Sequence, residues 1–129
     1  MTDSIADMIT RLKSGAKSRK ETVSFPNSKL VGAILVALER VGYVEVISKK
    51  SKKISKNLEA KITYVGAEPK FKDAKRISKP SKRMYRGFKK IQPVKSGFGH
   101  LIISTPNGIL TDMEARKQRV GGETLFKIW

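Results

Sequence analysis

The sequence predicts an α/β chain of the α+β type in two small lobes, residues 1–65 and 66–129. Three observations predict it. Helical periodicity and strand alternation take turns through the first half. From residue 70 the texture changes to basic residues interleaved with apolar and aromatic ones. From residue 100 onward the chain reads as strand, turn, strand, short helix, strand.

The first lobe is expected to run α-β-α-β-β. Ile5, Met8, Ile9 and Leu12 fall at i, i+3, i+4 and i+7, which predicts an amphipathic helix over 3–17. Asp3 suits its N-cap, and Lys13 and Lys17 suit the negative end of its dipole. Val23 and Phe25 alternate with polar neighbours in a strand that Pro26, Asn27 and Ser28 stop. Val31, Ile34, Leu35, Leu38 and Val41 line one face of a second helix, with Gly42 where a C-terminal cap belongs. Residues 43–47 and the alternating Leu58, Ala60, Ile62 and Tyr64 form a hairpin around a basic loop that includes Lys49, Lys50, Lys52 and Lys53.

The second lobe is expected to be mostly β with one short helix. Residues 70–95 hold eleven basic residues and one acid, Asp73. Phe71, Ile77, Met84, Tyr85, Phe88 and Ile91 are interleaved among them, so one strand face can pack while the other meets phosphate. Residues 100–104 form an apolar strand. Pro106 presets a type I turn, and Gly108 takes a positive φ in a three-residue, bulged hairpin loop. Thr111 and Glu114 make a capping box for a helix over 112–119, which Gly121 is expected to stop. Residues 123–129 close the chain as a strand.

Charge narrows the function. The chain has 28 Lys plus Arg against 11 Asp plus Glu, a net charge of +17 and a pI near 10.3. Such self-repulsion opposes folding, so a polyanionic partner is the economical explanation. Both lobes are basic, and the second is the more so: 13 cations face 6 acids in residues 1–65, and 15 face 5 in residues 66–129. The absence of cysteine excludes disulfides, thiolate metal sites and cysteine nucleophiles. The single histidine, His100, has no carboxylate within ten residues on either side, so neither a metal site nor a cofactor is expected. Gly97-Phe98-Gly99 precedes a strand rather than a helix, the wrong setting for a dinucleotide cradle, and Phe98 is expected to pack beneath it. Ser104 and Thr105 lack a local base, which removes them as nucleophiles, and no catalytic set emerges elsewhere. No apolar run is long enough for a membrane and no secretory signal opens the chain, so a cytoplasmic protein is expected.

An RNA-binding role fits these residues best. Lys49, Lys50, Lys52 and Lys53, and Lys79, Arg83 and Arg86 in the second lobe, are candidate phosphate contacts, which set affinity without reading sequence. Tyr85 either stacks on an unpaired base or belongs to the core. Ser104 and Thr105, at a hairpin tip beside a basic surface, can bond base edges and the 2′-hydroxyl of RNA. An architectural DNA-binding protein would share the charge but prefer duplex DNA.

The chain resembles the bacterial-type ribosomal protein S8 family of the small subunit over nearly its whole length. The resemblance is carried by Asp3-Ser4-Ile5-Ala6-Asp7-Met8-Ile9-Thr10-Arg11, Phe25-Pro26-Asn27-Ser28-Lys29-Leu30, Arg76-Ile77-Ser78-Lys79-Pro80 with Arg83-Met84-Tyr85, and a C-terminal series. That series runs Gly97-Phe98-Gly99, Ile102-Ile103-Ser104-Thr105, Gly108, Thr111-Asp112, Ala115-Arg116 and Gly121-Gly122-Glu123. It implies a two-lobed protein, neither enzymatic nor cofactor-bound, that grips an irregular stem in the central domain of small-subunit ribosomal RNA. Such a protein aids assembly beside neighbouring ribosomal proteins and in some bacteria represses its own messenger. It also implies that Ser104 and Thr105 enter the stem, that Tyr85 lies against RNA, and that Glu123 helps hold the turn. Pro106 and Asn107 stand where the family usually has Ser and Lys, so a hydroxyl and a cation are missing, while Gly108 is kept.

Overall fold

The computed structural model describes residues 3–47, 57–92 and 99–129. Lys49, Lys50, Lys52 and Lys53, and Gly97 and Phe98, lie outside these residues. The described chain is an α+β fold of three helices and ten strands, the sheets antiparallel, in two compact units, Met1–Phe71 and Lys72–Trp129.

In the first unit α1 spans Ser4–Lys17, and the Asp3 side chain accepts from the Ala6 N–H at 3.2 Å, as the cap requires. Ile5, Met8, Ile9 and Leu12 are buried on its inner face. The strand β1 (Thr22–Pro26) buries Val23 and Phe25. Ser28 then caps α2 (Lys29–Arg40), which buries Val31, Ile34, Leu35 and Leu38. Val41, expected on that face, is instead the half-buried C-cap, and Gly42 follows at φ +87. β2 (Val44–Val46) and β3 (Asn57–Ile62) pair antiparallel as the expected hairpin, and β3 is the centre of a β1-β3-β2 sheet. Gly15 on α1 has no room for a side chain, since a Cβ there would lie 2.6 Å from Cγ2 of Val23. A small hairpin of β4 (Tyr64–Val65) and β5 (Glu68–Pro69) follows, and Phe71 meets Tyr43 edge to face with ring centroids 6.3 Å apart. The segment after Val65 therefore folds with the first unit.

The second unit is built around its last strand. β10 (Gly122–Ile128) lies between β6 (Ala74–Arg76) and β8 (His100–Thr105), and β9 (Gly108–Thr111) pairs with the far side of β8. β7 (Tyr85–Arg86) pairs with the start of β10, on the strand that β6 pairs further along. The short helix α3 (Asp112–Gln118) carries the expected capping box: Thr111 and Glu114 each bond the other's backbone N–H. Ile91, Leu101, Ile103, Leu110 and Ala115 form a core cluster, with Ile77, Phe88 and Val120 packed against it.

Three expectations are corrected here. The helix ends at Gln118 with Arg119 as its cap, which takes the left-handed conformation itself at φ 57, so Gly121 does not supply the stop. Gly121 is needed for a different reason: a Cβ there would lie 2.3 Å from the Arg86 carbonyl oxygen. The hairpin loop holds two residues, Pro106 and Asn107, because the ladder runs unbroken to Thr105 opposite Gly108. Proline cannot take the positive φ of the usual two-residue turns, so the positive φ falls on Gly108, at +106. Finally, the stretch 70–95 does not alternate as one strand over its described residues. Ile77 is half-buried and Ser78 buried, and a loop divides β6 from β7.

Candidate nucleic-acid interface

That loop is the key to the site. Ile77 and Ser78 continue along β10, donating to the carbonyls of Leu125 and Thr124 at 3.0 and 3.1 Å. The chain then leaves the sheet through Lys79-Pro80-Ser81-Lys82, closed by reciprocal backbone bonds between Lys79 and Lys82 at 3.0 and 2.9 Å. It returns when Thr124 donates to the Met84 carbonyl at 2.9 Å. Lys79, Lys82, Arg83 and Arg86 are all exposed on this excursion. Pro80 suits the tip, since it removes a donor that a strand would need and steers Lys79 away from helical geometry.

Ser78 and Glu123 lock the excursion in place. The Ser78 hydroxyl donates to the Glu123 carboxylate and accepts from the Met84 N–H at 3.2 Å. Arg83 donates to the same carboxylate oxygen at 3.0 Å. Burial alone would raise the Glu123 carboxyl. The hydrogen bonds from Ser78 and Arg83, and the charges of Arg83 and Arg76, outweigh it and hold the group below the ordinary glutamate value. Glu123 is therefore ionised within a cationic surface, where it holds other groups and stays largely covered, its side chain only 15% exposed.

The pairing register brings the sequence candidates into one line. Tyr85 lies opposite Glu123, Glu123 opposite Ser104, and Ser104 opposite Ile109. Directly opposed residues of antiparallel strands share a face of the sheet, so Tyr85, Glu123 and Ser104 form a polar row across three strands. Tyr85 is 68% exposed, which removes the core reading of this ring. Beside the row a Cβ on Gly122 would lie 1.9 Å from the Ser104 carbonyl oxygen and 3.1 Å from the Thr105 Cα. Only glycine lets β10 lie so close beneath the turn.

The turn uses its own groups. The Thr105 hydroxyl donates to the Gly108 carbonyl at 2.8 Å and accepts from the Asn107 N–H at 3.1 Å, so one lone pair remains for a ligand. The Asn107 side-chain amide donates to Gln118 at the end of α3, at 2.9 Å. Asn107 thus ties the tip to the helix in place of offering a cation. The hydrogen bonds of the Glu123 carboxylate run to Ser78 and Arg83 on the side away from the turn. Ser78, Gln118 and Gly122 have roles that sequence reasoning did not assign. In the sequence Ser78 stands only as a member of the family-like stretch Arg76-Ile77-Ser78-Lys79-Pro80.

Among the described residues no cluster of three or more His, Cys, Asp or Glu could hold a metal ion, and no helix is long and apolar enough to cross a membrane.

Comparison with known proteins adds a family to this geometry. The family model described as ribosomal protein S8 matches residues 3–129. The small ribosomal subunit protein uS8 of Erythrobacter litoralis is 40% identical over 129 residues, covering 100% of this chain and 98% of the relative. That of Novosphingobium aromaticivorans is 38% identical with the same coverage. That of Dechloromonas aromatica is 42% identical over 125 residues, covering 97% of this chain and 95% of its own.

Proposed function

The chain belongs to the ribosomal protein S8 family, and from that premise we propose that it is a structural constituent of the cytoplasmic small ribosomal subunit that binds the subunit's RNA through its second unit. The role is structural rather than catalytic. Its target is an irregular stem in the central domain of 16S ribosomal RNA, and binding helps that domain fold as neighbouring small-subunit proteins assemble. The same face would take a mimic of that stem in the chain's own messenger, which would make the chain a repressor of its own translation.

The observation that carries this reading is the row of Tyr85, Glu123 and Ser104 across β7, β10 and β8, flanked by the cationic excursion. Lys79, Arg83 and Arg86 supply charge to phosphates, a contribution common to any nucleic acid. The exposed ring of Tyr85 supplies a stacking surface for a base that a regular helix would keep paired. The hydroxyl of Ser104 and the free lone pair of Thr105 supply hydrogen bonds that test shape at the irregular part of the stem. An irregular, partly unpaired site is thus favoured over uniform duplex, because stacking and polar contacts both need exposed edges.

Sedimentation tests the reading. Tagged chain produced in cells should run with the small subunit through a sucrose gradient and stay with it in moderate salt. In vitro it should prefer a bulged stem over duplex DNA of equal length at one salt concentration, and it should bind the leader of its own messenger. Migration at the top of the gradient, or preference for duplex DNA, would contradict the assignment.

A further inference from the structure

We infer that Asn107 is a site of self-modification: in the chain free of RNA its side-chain amide is lost as ammonia, which leaves aspartate or isoaspartate at the tip of the β8–β9 hairpin and weakens the hold on RNA. The weakening rests on the proposed function; the chemistry does not. The chain has three asparagines, and the residues that follow them are Ser28, Leu58 and Gly108. Only at Asn107 does the next residue lack a side chain, so its nitrogen can approach the asparagine carboxamide unhindered. Pro106, Asn107 and Gly108 are all exposed. Among the described residues nothing lies within 4 Å of the point where a Gly108 Cβ would stand, so water reaches the site.

The step is an internal aminolysis. The Gly108 nitrogen bonds to Cγ of Asn107 while the Cγ–Nδ2 bond breaks. The Gly108 amide proton passes to the departing nitrogen, and ammonia leaves a cyclic imide. Water then opens either C–N bond of the imide. Breaking the new bond at Cγ gives aspartate, and breaking the original bond at the main-chain carbon gives isoaspartate. Nothing is oxidised or reduced, and water is the co-reactant.

The fold holds this step back. Nδ2 of Asn107 donates to Oε1 of Gln118 at 2.9 Å, so the leaving group is tied to α3. The Thr105 hydroxyl accepts from the Asn107 N–H at 3.1 Å and donates to the Gly108 carbonyl at 2.8 Å, which pins the backbone on both sides of the Asn107–Gly108 peptide. Yet Thr105 opposite Gly108 is the last rung of the β8–β9 ladder, and rungs at an exposed end open at low cost. Fraying of that rung with loss of the bond to Gln118 frees both reacting atoms. Both products change the tip. Aspartate is ionised at neutral pH and repels phosphate. Isoaspartate carries the same charge and lengthens the backbone between Pro106 and Gly108, where loop length sets the register of the strands. Bound RNA covers the tip, so an assembled chain keeps its asparagine and an unassembled one ages.

Peptide mapping by mass, on the full chain held without RNA at mildly alkaline pH, follows the replacement of NH by oxygen at each asparagine. Position 107 should convert while Asn27 and Asn57 stay intact. Saturating small-subunit RNA should slow the conversion, and Gln118→Ala should speed it about two- to fivefold, the weight of one exposed hydrogen bond. An amide at position 107 that lasts as long as those of Asn27 and Asn57 would overturn the site. An unchanged rate in Gln118→Ala would remove the guard role from that residue, and equal rates with and without RNA would overturn protection by assembly. Aged wild type should bind the RNA about three- to tenfold more weakly than fresh protein, the effect of one like charge near phosphate. Asn107→Gln, whose longer side chain closes an imide far more slowly, should lose no affinity on ageing. Equal loss in the aged variant would assign the weakening to other damage and overturn the consequence. Asn107→Asp and Tyr85→Ala separate this inference from the proposed function. Loss of affinity in Tyr85→Ala alone would overturn the effect of the modification and leave the interface standing, and loss in neither would overturn both.

Discussion

Glu123 is an acid on the surface we propose for RNA, and simple electrostatics says that removing it should help binding. Its geometry says the reverse. The carboxylate joins Ser78 to Arg83, and Ser78 in turn holds the Met84 N–H at the start of β7. Glu123→Gln should therefore lower affinity for the cognate RNA by roughly tenfold, about 1.4 kcal/mol, because weakened bonds at Ser78 and Arg83 loosen Tyr85 and Arg86. A gain in affinity, read by filter binding, would refute the bracing role. The pH dependence has a definite sign. A carboxyl held below its ordinary value in the fold contributes stability that is fully present above the unfolded value, about 4.3 for glutamate. That stability is lost as pH falls from there through the depressed folded value. Acid unfolding of wild type and Glu123→Gln should thus converge at low pH. At the turn, Pro106 replaces a hydroxyl residue but fixes φ. The missing hydrogen bond is worth roughly 1 kcal/mol and the restricted free chain returns about 0.4–1 kcal/mol. Pro106→Ser should change affinity less than about tenfold, by titration at one salt concentration. Much tighter binding by the variant would show that the hydroxyl dominates.

At the scale of elements, the approach of β7 to β10 is the sensitive joint. A methyl group on Gly121 would meet the Arg86 carbonyl, which is backbone and cannot swing aside. Gly121→Ala should cost about 1–3 kcal/mol, the range of an overpacked site. It should also speed amide exchange at Arg86, since β7 must move off β10. An unchanged stability would mean that the strand yields freely. This glycine also marks where sequence was legible and where it was not. The elements with strong local signals were readable: the capped helices α1, α2 and α3, and the β8–β9 hairpin. Apolar spacing and capping residues act within one element. The joint was not readable, because nothing near Gly121 in the chain says that residues 86 and 87 lie against it. Gly121 looked like a helix stop for the same reason, although Arg119 takes the left-handed position. Residues 70–95 misled in a similar way. Their alternation resembles one strand, but the burial of Ser78 is decided by Glu123, 45 residues away. The candidates Tyr85, Ser104 and Glu123 were nameable from the chain and its family resemblance. Their alignment in one row needed the register.

At the scale of the whole molecule, the proposed function has charge set strength and the row set choice. A net charge of +17 should give RNA affinity a steep salt dependence. With about five or six phosphates neutralised, the log–log slope should lie near −0.9 per contact, by analogy with duplex DNA. Replacing Lys49, Lys50, Lys52 and Lys53 by alanine should flatten that slope and leave the preference among RNA sequences nearly unchanged. An unchanged slope would take those lysines off the RNA.

The central claim is that discrimination resides in the row of Tyr85, Glu123 and Ser104. The most direct measurement is the ratio of dissociation constants for the irregular stem and for the same stem with its bulge paired. It should be taken at one salt concentration for wild type, Tyr85→Ala and Ser104→Ala. Each substitution should weaken binding to the irregular stem by roughly 1–3 kcal/mol, the cost of a lost stacking or polar contact. Binding to the paired stem should barely move, so the ratio collapses toward one. Equal losses on both RNAs, with the ratio preserved, would contradict the account.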